Sequence, residues 1–118
     1  MERKRSLKLS DIITSICTLY KTEGETGVYL DNGWCVYSSE KEIMPETICY
    51  IDDYPDFDDD DNEIYSDYIV NNNMELIYRD EIIQDVIIAC LNQKSNATID
   101  EIVRALFYYE EYDNFLVL

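Results

Sequence analysis

Histidine is absent from the chain, glycine occurs three times and proline twice, and nine lysines and arginines stand against 26 aspartates and glutamates. Without histidine, the usual catalytic triad and most zinc sites lose their commonest base and ligand. The shortage of cations, with a formal net charge of −17, excludes direct nucleic-acid binding and docking on an anionic membrane, because every phosphate contact needs a positive partner. No pair among Cys17, Cys35, Cys49 and Cys90 has the CxxC spacing of a zinc ribbon or a thioredoxin-like site. Each of the four lies in an apolar stretch, so they are expected to be buried, reduced thiols of a cytosolic protein. Long apolar runs are missing too. The longest, Val86 to Leu91, has six residues, far below the ~20 that a membrane-spanning helix needs. The stretch after Arg3-Lys4-Arg5 is interrupted by Ser10, Asp11, Thr14, Ser15 and Thr18, which reads as an amphipathic helix and not a secretory leader. In a cytoplasmic protein the sequon Asn96-Ala97-Thr98 stays unglycosylated.

With 118 residues, one domain is expected, since two halves would each bury too little. The 47% hydrophobic content is ordinary for a folded protein, so the acidity does not imply disorder. Apolar residues at helical spacing (Ile12, Ile13, Ile16, Cys17, Leu19, Tyr20) predict a first helix capped by Ser10 and leaving at Gly24 and Gly27. Asp31-Asn32-Gly33 between Val28-Tyr29-Leu30 and Trp34-Cys35-Val36-Tyr37 predicts a β-hairpin, because Asn-Gly supplies the positive φ of a tight turn. Thr47 to Ile51 and Met74 to Tyr78 predict further strands, and Glu63 to Asn71 a short helix. Asp80 is expected to cap a helix that is apolar nearly all round, hence central. Thr98-Ile99-Asp100-Glu101 has the capping-box pattern and opens a last helix with Ile99, Ile102, Val103 and Leu106 on one stripe. The expected fold is α+β: a small antiparallel sheet of three to four strands packed against three to four helices. Residues 1–8 are expected to be a frayed basic arm.

The segment Asp52 to Asp67 stands apart, with nine acids in sixteen residues and no lysine or arginine. Asp52, Asp53, Asp56, Asp58, Asp59, Asp60, Asp61, Glu63 and Asp67 alternate with Tyr54, Phe57 and Tyr65, and Tyr68 follows. Asp56, Asp58 and Asp60 hold positions 1, 3 and 5 of a calcium loop, with Asp67 at 12. Position 6, however, is Asp61 where the turn requires glycine, and no helix precedes because Tyr54-Pro55 interrupts; no metal is expected. Aromatic side chains are typical interface anchors and carboxylates steer a basic partner, so the thirteen named residues are the candidate partner-binding surface. Paired carboxylates such as Asp52/Asp53 do acid–base chemistry only when a pocket separates their environments. A solvated acidic loop offers no such pocket, so neither an enzyme nor a cofactor is expected.

From Arg79 to Phe115, 37 residues, the helix, the Asn96-Ala97-Thr98-Ile99-Asp100-Glu101 cap and the ending in Phe107-Tyr108-Tyr109 and Asp113-Asn114-Phe115 resemble small bacterial proteins of toxin–immunity systems, of the contact-dependent growth inhibition type. That resemblance implies one-to-one neutralisation of a cognate toxin domain, commonly a nuclease, as a heterodimer. A nuclease cleft that holds phosphate is basic, which an acidic inhibitor complements. The alternative is an acidic DNA mimic that inhibits a nucleic-acid-binding enzyme. A mimic spreads its carboxylates in rows over the surface, whereas here they crowd into one segment.

Overall fold

The first helix needs no side-chain cap. In the computed structural model, which describes residues 1–118, strand β1 (Arg5–Lys8) runs straight into helix α1 (Leu9–Leu30) with no loop between them. The first helical N–H groups donate to neighbouring backbone, Leu9 to the Thr47 carbonyl at 2.9 Å and Ser10 to that of Pro45 at 2.8 Å. Ser10 therefore lies inside the helix. The arm expected to fray is instead an edge strand: β1 pairs antiparallel with strand β3 (Ile48–Asp53), Leu7 opposite Cys49. Arg3 fastens it further, donating to the Asn32 carbonyl at 2.8 Å and to Asp53 at 3.2 Å.

The largest correction concerns the expected hairpin around Asn32-Gly33. Val28, Tyr29 and Leu30 are helical, because α1 kinks at Gly24 and resumes. Gly24 has φ 75° and ψ −170°, a conformation open essentially to glycine alone. Asp31-Asn32-Gly33 is then a helix stop. Asn32 Nδ2 donates to the Tyr29 carbonyl at 2.8 Å, and buried Gln84 donates to the carbonyls of Val28 and Asp31 at 3.0 and 2.7 Å. The positive φ of Gly33, 85°, is used, but to leave a helix.

Strand β2 (Trp34–Ser38) follows, with all five residues buried, between β3 on one side and a later strand on the other. After β3 come the two short strands β4 (Asp56–Phe57) and β5 (Glu63–Ile64), the five-residue helix α2 (Asp67–Asn71) and strand β6 (Glu75–Arg79). The expected helix from Glu63 thus begins as a strand and turns helical only at Asp67. Helices α3 (Asp80–Gln93) and α4 (Ile99–Tyr112) complete the chain. The main sheet is antiparallel throughout, in the order β1-β3-β2-β6, and β4-β5 form a separate hairpin. The fold is α+β, as the pattern of the sequence predicts.

Alternation along the strands separates two cores. Trp34, Val36, Cys49 and Ile51 face α1, α3 and α4, where Ile13, Ile83, Ile87 and Leu106 fill the larger core. Cys35, Tyr37 and Tyr50 face the other way, onto Ile69 of α2 and the half-buried Tyr54 and Tyr65. Helix α3 is central, with Ile83, Val86, Ile87, Ile88, Cys90 and Leu91 buried. The capping box of α4 is complete: Thr98 Oγ1 accepts from the Glu101 N–H at 3.1 Å, and Glu101 accepts from the Thr98 N–H at 2.9 Å. No helix is long and apolar enough to cross a membrane.

Two measurements test this packing. Gly24→Ala places a Cβ where no atom lies within 4 Å, so its whole cost is backbone strain. A loss of ~1–3 kcal/mol in denaturant unfolding is expected. The thiols divide as three and one. Cys35, Cys49 and Cys90 are buried, and burial pushes them up to about 11, 12 and 11, whereas Cys17 is only half-buried. Native protein is expected to label first at Cys17, and at the other three only on unfolding; rapid native labelling of a second thiol would contradict the assignment.

Candidate protein-binding surface

The acidic segment is an ordered flap over the second face of the sheet. Its turn explains how so many carboxylates can sit together. Asp58 and Asn62 close the hairpin, the Asp58 N–H donating to the Asn62 carbonyl at 3.0 Å, and Asp59, Asp60 and Asp61 form the connection. A three-residue connection of this kind needs a left-handed residue at its end, usually glycine. Here Asp61 takes it, with φ 62°, a conformation that aspartate tolerates better than most. Asp58 organises the turn: its carboxylate accepts from the N–H groups of Asp60 and Asn62, both at 2.9 Å. Those bonds hold its carboxyl below the ordinary aspartate range.

The flap is latched to the start of α3 by one buried carboxylate. Asp80, 2% exposed, does not cap α3 in the expected way. It accepts from the Gly33 N–H at 2.7 Å, from the Glu81 N–H at 2.8 Å and from the Tyr54 hydroxyl. Arg79 lies over the Tyr54 ring, 5.6 Å from its centroid, in a cation–π contact. Burial, then the Asp80 bond, push the Tyr54 hydroxyl well above the ordinary tyrosine range, so it remains a donor. Tyr65 is the second inward ring, edge-on to Tyr37 at 6.1 Å, with its hydroxyl on Glu63.

The thirteen candidate residues therefore divide. Asp53, Asp56, Asp58, Asp59, Asp60, Asp61, Glu63 and Asp67 are exposed, with Asp53 and Asp56 bordering the cleft beneath the flap. Phe57, 60% exposed, and Tyr68, 47% exposed and stacked on Tyr50 at 4.3 Å, are aromatic surface within that field. Tyr54 and Tyr65 are structural. Asp52 is also removed from the outer surface: it is 5% exposed on β3, accepting from the Asp53 N–H at 2.9 Å and the Ser66 hydroxyl at 3.1 Å. It shares the face of Tyr50, two residues earlier on β3, which turns it under the flap, a strand property that reading the segment as a loop conceals.

Two residues missed by the sequence reading belong to the surface, Ile64 and Val70, at 49% and 59% exposure. Beneath the flap, between Asp52, Asp56, Ile64 and Tyr65, lies an open cleft of about 280 Å³.

In class, the chain is an α+β domain with an exposed acidic hairpin beside its antiparallel sheet. The chain belongs to the DUF7716 family, a domain of unknown function, whose profile matches residues 9–118. That match begins at α1 and takes in the whole flap. No curated protein and no solved structure matches the chain.

The latch makes a prediction of its own. Tyr54→Phe leaves the ring and the cation–π contact but removes the donor to Asp80. A loss of ~1–2 kcal/mol is expected. Hydrogen exchange should accelerate more in the flap than in α3. Uniform acceleration would mean that Tyr54 supports the whole fold and not the flap.

Proposed function

We propose that this protein is an immunity protein: it binds a cognate toxin domain with a basic active cleft, of the nuclease kind, and neutralises it as a heterodimer in the cytoplasm of the cell that makes the toxin. The observation that carries the reading is the hairpin tip. Asp58, Asp59, Asp60 and Asp61 are all exposed on a turn held by its own hydrogen bonds, and no lysine or arginine lies between Asp52 and Asp67. Charge concentrated at a projecting, ordered tip attracts a basic cleft over a Debye length of ~8–10 Å, and such steering raises association rates towards ~10⁸ M⁻¹s⁻¹ at low salt. Phe57 beside it supplies apolar area that an acidic tip alone lacks. The resemblance of the region Arg79 to Phe115 to immunity proteins supports the same reading.

Steering and anchoring separate experimentally. Asp58 builds the turn, so the informative variant replaces Asp59, Asp60 and Asp61 by Asn and leaves Asp58 in place. The partner to test is the product of the gene immediately upstream, where an immunity gene has its toxin. With it, this variant is expected to associate at least about ten-fold more slowly at low salt and to show a flatter salt dependence, with dissociation little changed. Phe57→Ala is expected to act oppositely, costing ~2 kcal/mol mainly through faster dissociation, with the melting temperature held. Absence of a complex with that domain, or an unchanged association rate at low salt, would sink the proposal.

A further inference from the structure

We propose that the cleft beneath the hairpin receives one arginine side chain of the basic partner, a pocket for a single guanidinium behind the steering tip. The inference rests on the reading above that the partner is basic, and it names the group the partner inserts. In the antiparallel pairing of β4 and β5, Asp56 stands opposite Ile64 and Phe57 opposite Glu63. Directly opposed residues share a face of the hairpin, so the pairs lie on opposite sides. Asp56 and Ile64 line the cleft, which leaves Phe57 and Glu63 on the outer side.

The independent observation is at the cleft's inner end. Asp52 is 5% exposed, lines the cavity, and has no lysine or arginine in ion-pair contact; its two hydrogen-bond donors, the Asp53 N–H and the Ser66 hydroxyl, are both neutral. A buried carboxylate without a counter-ion is costly, and two donors leave half of its acceptor positions open. Asp80, the other buried acid, differs in having three donors converging on it. Lys4 reaches the cleft from the β1 side but forms no ion pair, and Asp53 at the rim is engaged by Arg3. No lysine or arginine of this chain pairs with Asp52, which leaves it open to a partner's cation.

The walls favour guanidinium over ammonium. Tyr37 and Tyr65 present aromatic surface, and Asp52, Asp53 and Asp56 are the acids of the lining. A planar, weakly hydrated group that stacks on rings and donates in several directions fits those walls; a compact ammonium uses neither property. A volume of about 280 Å³ accommodates one side chain and not a strand.

The test is an NMR titration of the isotope-labelled full chain with butylguanidinium, using butylurea as its uncharged analogue of like shape. Saturable shifts confined to the amides around Ile64, Tyr65 and Ile69 are expected with butylguanidinium, and none with butylurea. Asp52→Asn and Asp56→Asn should each weaken binding about ten-fold. Asp56 is exposed, so its variant keeps the test open if Asp52→Asn unfolds. Equal shifts with butylurea, indifference to both substitutions, or no saturable binding would each overturn the pocket. The two readings fail separately. A partner steered by the tip while the cleft stays empty ends the arginine pocket alone. Guanidinium in the cleft without any toxin complex ends the neutralisation reading alone.

Discussion

The Asp80 carboxylate is the interaction on which the arrangement depends. Three parts of the chain that are distant in sequence meet on it: the exit of α1 through the Gly33 N–H, the start of α3 through Glu81, and the acidic flap through the Tyr54 hydroxyl. A buried charge without a counter-ion is tolerable only when neutral donors surround it, and here each donor belongs to a different element. Gln84, one turn further along α3, completes the same corner by capping the carbonyls of Val28 and Asp31, and Trp34 Nε1 donates to the Asp31 carbonyl at 2.9 Å. The corner is thus a polar network inside an apolar core, and it fixes where the sheet begins and where the flap lies.

Elements whose signals are local were legible in the sequence. The capping box at Thr98, the apolar circumference of α3 and the stripe of α4 each depend on residues a few positions apart. The strands at Thr47 and Met74 were legible to within two residues, because alternation is equally short-ranged. Asn32-Gly33 misled for a physical reason. Positive φ is demanded by a helix stop as much as by a hairpin turn, and only Gln84, more than fifty residues away, decides between them. The frayed arm was misjudged in the same way, since a short basic strand acquires its structure entirely from pairing with β3.

The exposure of the acidic segment was legible in composition, but its orientation was not. Charge density marked the segment that forms the exposed hairpin. It could not tell that Tyr54 and Tyr65 turn inward while Phe57 turns out, nor that Asp52 lies beneath the flap, because those outcomes follow from strand register and from the contact with Asp80 and Tyr37. Aromatic residues among acids thus serve two opposed tasks in a single segment, holding the flap down and furnishing its exposed face.

The hairpin turn carries a further consequence. Four successive aspartates at its tip repel one another across water, and nothing within the turn is positive. The hydrogen bonds of Asp58 and the tether at Tyr54 hold this segment against its own electrostatic pressure. Dissolved salt relieves that pressure and also screens any approaching cation. Ionic strength therefore acts on this one feature with two signs: it steadies the hairpin and shortens the reach of the field that the hairpin projects. The two effects balance at moderate salt, where the flap is steadied and its field still reaches beyond its own side chains.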